Sequence, residues 1–367
     1  MKSTPIKPVK SPSRILVINT RRIGDALLAT PLIRSLHLAW PEAKIDVLVF
    51  EATAGILKSN PDVDQVITVA ERPKLSSHLG LLWQLWRHYD IAISTLPADR
   101  PTLYAWAAGK HSVGLVEAGH KHNWKRRLLS QSVQFDNINT HTVLMNLKLA
   151  ELLGVPRCHE VVAAWKEEDK VAVRKALPFD PEVQAYAVLH VYPMFAYKAW
   201  RREAWADLAN WLTGQGMRVV LTGGKSAEEV AYVRGLIGLL PSDTVDVAGK
   251  LSLAGVTYLL SKAVAYVGPD TVVTHLAAAS GTPTVALFGP SNPVKWGPWP
   301  KGYDENRNPY ELRGTQHVNN VALLQGNDDC VPCMEDGCDR NIASESACLQ
   351  NLPAARVITA LRELLNL

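Results

Sequence analysis

AVAYVGPDTVVTHLAAASGTPTVALFG, residues 263–289, shows the fold in miniature. An apolar run over 263–268 ends in a glycine turn, a helix starts near Asp270, and a second apolar run, 282–289, ends at Gly289. Two continuous apolar strands joined by a helix predict a parallel sheet covered on both faces.

The same alternation extends in both directions. Strands are predicted at 185–191, 217–224 and 245–249, with helices over Glu203–Leu212, from about Ser226, and over Ser252–Ser261. Gly214 and Gly216 end the first of these helices. Before them, RILVIN (14–19) is followed by a Gly24-Asp25 turn and a helical run to about Trp40, with Pro31 marking a late start or a bend. KIDVLVF (44–50), QVITV (65–69) and DIAIST (90–95) are further strands, and 76–88 has helical spacing at Leu79, Leu82, Trp83 and Trp86. The reading is α/β, with two Rossmann-like domains facing each other across a cleft lined by strand C-terminal ends, where such sheets bind ligands. The division is expected within 156–182. This predicts a disordered leader over 1–13, a first domain over 14–175, a second over 180–350 and a C-terminal helix over 351–367.

A length of 367 residues fits two domains. With 47% hydrophobic and 20% charged residues, the composition excludes a disordered chain. The net charge of +4 is too small to argue for nucleic acid as a partner. No apolar run is long enough for a bilayer span, and the first residues lack a secretory h-region. Five cysteines make no disulfide framework, so a cytosolic address is expected.

Four segments follow strands and are candidates for chemistry. In Arg21-Arg22-Ile23-Gly24-Asp25, Asp25 is either a helix N-cap, which the pattern alone favours, or a general base. In Gly268-Pro269-Asp270-Thr271-Val272-Val273-Thr274-His275, free N–H groups at a helix start suit a diphosphate, and Asp270 suits sugar hydroxyls. The plain alternative makes Asp270 a cap and His275 a core residue. Gly289-Pro290-Ser291-Asn292-Pro293 is a loop or merely a Pro-punctuated connection. Tyr197-Lys198-Ala199-Trp200-Arg201-Arg202 offers cations for a leaving phosphate, or is simply a solvated helix start. The chain lacks GxxxxGK[ST], a GxGxxG after its first strand, HExxH and GxSxG, so those readings lose support.

Taken in order, ILVINTRRIGDALLATPLIRSL and AGKLSLAGVTYLLSKAVAYVGPDTVVTHLAAASGTPTVALFGPSNPVKWGPW resemble the ADP-heptose:lipopolysaccharide heptosyltransferases, glycosyltransferase family 9. The resemblance runs from about residue 14 to 365. YKAWRREAW looks most like the subgroup that adds a branch heptose, heptosyltransferase III. The resemblance implies a GT-B fold, inverting chemistry, and neither a metal nor another cofactor. It implies that Asp25 is the catalytic aspartate and that Lys198 contacts the donor phosphates. It further implies that Asp270, Thr271 and His275 surround the donor sugar and diphosphate, that Glu228 holds the ribose and that Leu251 packs on the adenine. His190-Val191-Tyr192-Pro193 replaces a smaller turn found in some members.

The partners implied are an ADP-heptose donor, a phosphorylated lipid-linked core oligosaccharide as acceptor, and the inner face of the inner membrane, with no nucleic acid. Arg21 and Gly24 are placed on the acceptor side. Lys125, Arg126 and Arg127, within the basic run 120–127, join them as contacts for acceptor phosphates or the anionic leaflet, against the plain reading of a solvated loop. Cys330, Cys333, Cys338 and Cys348 have spacing that a zinc site or a cluster could use, and are read no further than a structural clip. A different sugar, a protein acceptor, or a non-catalytic nucleotide-sugar binder are the alternative functions.

Overall fold

A computed structural model describes residues 11–367, so most of the expected leader lies outside the described residues. Contacts divide the chain into two compact units between Val162 and Ala163.

The first unit is a six-stranded parallel sheet in the order β3-β2-β1-β4-β5-β6. Its strands are β1 (Arg14–Asn19), β2 (Lys44–Phe50), β3 (Gln65–Val69), β4 (Tyr89–Ser94), β5 (Gly109–Val116) and β6 (Gln131–Gln134). The helices are α1 (Ile23–Leu27), α2 (Thr30–Ala39), α3 (Leu75–Leu85), α4 (Asp99–Ala108), α5 (Asn123–Leu128) and α6 (Thr142–Leu152). Buried Ile15–Ile18 make β1 the sheet's centre, paired in register with β2 and β4. Strand order reverses between β1 and β4, the switch point where open α/β sheets bind ligands.

The second unit repeats that order. Its strands are β7 (Tyr186–His190), β8 (Arg218–Thr222), β9 (Val245–Asp246), β10 (Ala265–Pro269), β11 (Thr284–Phe288), β12 (Gln316–Val318) and β13 (Val321–Gln325). They run β12-β13-β11-β10-β7-β8-β9, parallel except for the antiparallel edge strand β12. The switch point lies between β7 and β10. The helices are α7 (Glu167–Ala176), α8 (Arg202–Gly214), α9 (Ala227–Ile237), α10 (Leu253–Lys262), α11 (Val272–Ser280), α12 (Pro293–Trp296), α13 (Ala347–Gln350) and α14 (Ala354–Leu365).

The sequence places 163–175 with the first half, but its contacts lie in the second unit. Trp165 meets Tyr258 of α10 edge-on at 4.8 Å, and the Ser252 hydroxyl donates to Asp169 at 2.7 Å. The C-terminal helix belongs to the same core, with Leu352, Val357 and Leu361 buried in one cluster with Leu208 and Leu212 of α8. β5, β6, β12 and β13 are strands that the sequence reading left unassigned.

Candidate active site

In the first unit the chain leaves β1 through Thr20 and enters α1 with Arg22 in extended conformation as N-cap. Asp25 is therefore not the cap. It is the third residue of the helix, where a carboxylate favours the positive end of the dipole. Its side chain is buried, and Oδ1 lies 3.4 Å from the Arg21 guanidinium, which is about half exposed. The switch point holds this turn from below. The Asn19 amide donates to the Asp25 carbonyl at 3.3 Å and to the Thr95 hydroxyl at 2.9 Å, and that hydroxyl donates to the Ile18 carbonyl at 3.0 Å. Thr53 fixes the Arg21 carbonyl at 2.9 Å.

Pro31 explains why α1 is short. It has no N–H to continue the ladder, so Thr30 donates its hydroxyl to the Leu27 carbonyl at 2.7 Å, and the Asn146 amide takes the Leu28 carbonyl at 3.1 Å. The helical run thus breaks into α1 and α2. Gly24 lies inside α1, next to Asp25.

In the second unit, Lys198 follows β7 and Asp270 follows β10, so they meet across the switch point although 72 residues separate them. Lys198 Nζ donates to Asp270 Oδ2 at 2.5 Å and to its backbone carbonyl at 3.3 Å. An ammonium carries three protons, so one remains beyond these two bonds, with the Tyr197 ring centroid 5.8 Å from Nζ. His275 Nε2 lies 3.9 Å from Asp270 Oδ1, while its Nδ1 is buried with no hydrogen-bond partner.

Burial alone would raise the Asp270 pKa. The charge of Lys198, that of His275 when its ring is protonated, and hydrogen bonds from Lys198 and Ser291 outweigh burial and hold the carboxyl below its ordinary value. For His275, burial lowers the pKa to about 4 against the opposing pull of Asp270, so the ring is neutral near pH 7. Thr271 is the N-cap residue of α11, whose first turn has no acidic side chain. The helix ends at Gly281 in left-handed conformation, φ +84°. Gly268 is required for a different reason: a Cβ there would stand 2.0 Å from the Tyr266 hydroxyl, which hydrogen-bonds Thr274 at 2.8 Å.

The loop carrying Lys198 is fastened to the far end of the unit. The buried Trp200 indole donates to the Leu352 carbonyl at 2.8 Å, and the Gln350 amide donates to the Ala199 carbonyl at 3.2 Å. Glu228 is exposed on the first turn of α9. Its neighbour Glu229 is engaged instead, accepting from the Gly224 N–H at 2.8 Å and the Ser226 hydroxyl at 3.2 Å as a helix-start cap. Leu251 is half-buried immediately before Ser252, the N-cap of α10. Lys198, Asp270, Thr271 and His275 thus come together, while Glu228 and Leu251 stand on neighbouring turns.

Ser291, which bonds Asp270, comes from the candidate loop 289–293, whereas Asn19 and Thr95 are residues that the sequence reading did not single out. Each is a polar residue at or just beyond the end of an apolar strand, and that was the available signal. Buried His190, at the end of β7, hydrogen-bonds the Thr222 hydroxyl at 3.1 Å, and burial takes its pKa to about 4.

The basic run 120–127 is only partly outward. The Lys125 side chain is 3% exposed and binds the Pro97 carbonyl at 2.5 Å and Asp99 at 2.6 Å, which ties α5 to the start of α4. Arg126 donates to the carbonyls of Glu117 and Gly119, and Arg127 is exposed. Lys125 and Arg126 therefore shape the loop, since their donors go to the backbone carbonyls of Pro97, Glu117 and Gly119.

All five cysteines are free thiols. Burial raises the Cys348 thiol to about 12, with Asp328 and the other three thiols of the segment adding to the effect, and Cys338 Sγ accepts the Ala347 N–H at 3.3 Å. Among the described residues no group of three or more His, Cys, Asp or Glu is arranged to hold a metal ion. None of their helices is long and apolar enough to cross a membrane.

Known proteins share this architecture. The chain is 27% identical over 352 residues to lipopolysaccharide heptosyltransferase 3 of Escherichia coli (strain K12), covering 93% of this chain and 95% of the relative. A glycosyl transferase of family 9 from Veillonella parvula superposes with a TM-score of 0.77 at 21% identity, over 96% of this chain and 97% of the other. ADP-heptose lps heptosyltransferase II of Escherichia coli does so with a TM-score of 0.72 at 21% identity, over 96% and 98%. The fold is GT-B, as the two tandem Rossmann-like units indicate. The model of glycosyltransferase family 9 (heptosyltransferase) matches residues 82–323, about two thirds of the chain, and the chain belongs to that family of enzymes.

Proposed function

We propose that this protein transfers a heptose from ADP-heptose to a hydroxyl of the lipopolysaccharide inner core, with inversion at the anomeric carbon. The observation that carries the reading is the group Lys198, Asp270 and His275 at the second unit's switch point, with one ammonium proton beyond the two bonds to Asp270 and a buried ring nitrogen still to be satisfied. The names of the curated relatives supply the sugar and the acceptor.

In this mechanism Asp25 takes the proton of the acceptor hydroxyl as its oxygen attacks the anomeric carbon from the face opposite the diphosphate. The bond from that carbon to the β-phosphate oxygen breaks, and ADP leaves with the electron pair. Lys198 and the first N–H groups of α11 stabilise the charge gathering on the diphosphate, through a transition state with oxocarbenium character. Asp270 is held too low by Lys198 to be an effective base. Its place is to orient Lys198 and to receive sugar hydroxyls. Glu228 and Leu251 serve the ribose and adenine.

Arg21 and Gly24 flank the acceptor hydroxyl. Arg127, the exposed arginine of the 125–127 cluster, meets acceptor phosphates at the inner face of the inner membrane. Titration calorimetry with ADP-heptose, UDP-sugars and GDP-sugars tests the donor. Selective binding of ADP-heptose, weakened by Lys198→Ala and Asp270→Ala, is expected. Preference for another nucleotide overturns the substrate and leaves the fold standing.

A further inference from the structure

The transfer reaction leaves one surface of α3 unexplained. This helix turns Leu81, Leu82 and Leu85 to the core of the first unit, and His78 reaches the Tyr104 hydroxyl of α4 at 2.9 Å. At about 100° per residue, Leu75, Leu79 and Trp83 fall within roughly 80° of one another on another side. Trp86, the C-cap residue, continues the line. These four side chains are 74%, 55%, 85% and 53% exposed. An indole and a leucine stripe so open to water mark a surface with a partner.

The flanking charges indicate which partner. Arg72 and Lys74 precede the stripe and Arg87 and His88 follow it, all exposed, while Glu71 is the one carboxylate between residues 71 and 88. The remaining exposed positions of the helix are Ser76, Ser77, Gly80 and Gln84. Arg87 lies 5.6 Å from the Trp86 ring centroid and donates to the Gly109 carbonyl at 2.6 Å, which holds that end in place. Tryptophan and leucine between cations match the boundary of headgroups and acyl chains on an anionic leaflet. A second copy of the chain fits less well. An antiparallel two-fold contact would set Arg72 and Lys74 of one copy against Arg87 of the other.

We propose that α3 docks the first unit on an anionic lipid surface, with Leu75, Leu79, Trp83 and Trp86 entering the headgroup layer and Arg72, Lys74 and Arg87 meeting lipid phosphates. The docking deepens the proposed function and rests on it for its purpose, which is reaching a lipid-linked acceptor.

The test sediments the full chain with phosphatidylethanolamine–phosphatidylglycerol vesicles and with phosphatidylcholine vesicles, without sugar ligands. The wild type is expected to bind the anionic vesicles. Leu79→Ser with Trp83→Ser should lower binding at least about tenfold, with an unchanged melting temperature and unchanged transfer to a de-acylated core oligosaccharide. Arg72→Glu with Lys74→Glu should remove the salt-sensitive part. Wild-type vesicle binding by the serine variant, or no binding by the wild type, overturns the proposal. So does a wild-type dimer that the serine variant dissociates. Absence of transfer to the de-acylated acceptor by the wild type overturns the activity reading instead, while the vesicle result still decides the docking.

Discussion

The two switch points are built on the same strand order and finished with opposite chemistry. In the first unit the strand ends meet through neutral groups, the Asn19 amide and the Thr95 hydroxyl, and this pair grips the backbone of the turn carrying Asp25. In the second unit the strand ends meet through charges, Lys198 on Asp270 at 2.5 Å. A carboxylate clamped by a partly buried ammonium loses basicity and gains rigidity. In the first unit the neutral pair fixes the backbone of the turn, and the Asp25 carboxylate faces the half-exposed Arg21 guanidinium at 3.4 Å. The same strand order thus carries a neutral backbone clamp in one unit and an ion pair in the other.

The comparison breaks most visibly at Asp25. Asp25→Ala should reduce turnover by about 10²–10⁴ and leave the calorimetric affinity for the donor unchanged. Full activity in that variant would remove the first switch point from the chemistry.

The ionic switch point makes a smaller, thermodynamic claim. Lys198→Met strands a buried carboxylate and should cost about 3 kcal/mol of stability in denaturant melts. Adding Asp270→Asn to that variant should return much of the loss. If the double variant is no more stable than the single, the pair is not what holds these strand ends.

The pH dependence of stability gives the most gradual effect, spread over more than two pH units. His190 has a pKa of about 4 in the fold against an ordinary 6.5, so between those values the unfolded chain binds a proton that the native state refuses. The contribution is whole above pH 6.5, falls as pH drops through the window, and levels off below about 4. Its slope is up to about 1.4 kcal/mol per pH unit. His190→Gln should flatten that part of the stability profile, and His275 should leave a similar slope behind. An unchanged profile in the variant would mean that His190 is protonated in the fold.

The strands bounding both switch points were legible because they are buried on both faces and read as unbroken apolar runs, RILVIN and AVAYVG among them. β5 was not, because Gly109 and Gly114 break its pattern. Both glycines are there for close packing: a Cβ at 109 would stand 2.8 Å from Ala92, and one at 114 would stand 3.0 Å from Leu129. β13, VALLQ, has a single β-branched residue among helix formers, a run that periodicity cannot tell from a helix fragment.

The site residues were visible singly as polar groups after strands. Their partners were not, since Lys198 finds Asp270 only once β7 lies beside β10. Asp25 shows the same limit at short range. A cap and a first-turn acid differ by three residues, and it was Arg22 that took the cap. Lys125 is the opposite case, a cation in an exposed-looking run whose ammonium turns inward to Pro97 and Asp99.

The bonds from Trp200 to Leu352 and from Gln350 to Ala199 also bear on how the protein is made. On the ribosome, β7 through β11 emerge well before residues 350–352, so the lysine loop cannot be anchored until nearly the whole second unit has been synthesised. A nascent chain therefore passes through a stage in which these strands have been synthesised and the Lys198 loop still lacks its anchor. The anchored form of the Lys198 loop thus arrives only after residues 350–352 have been made, well behind the strands it joins.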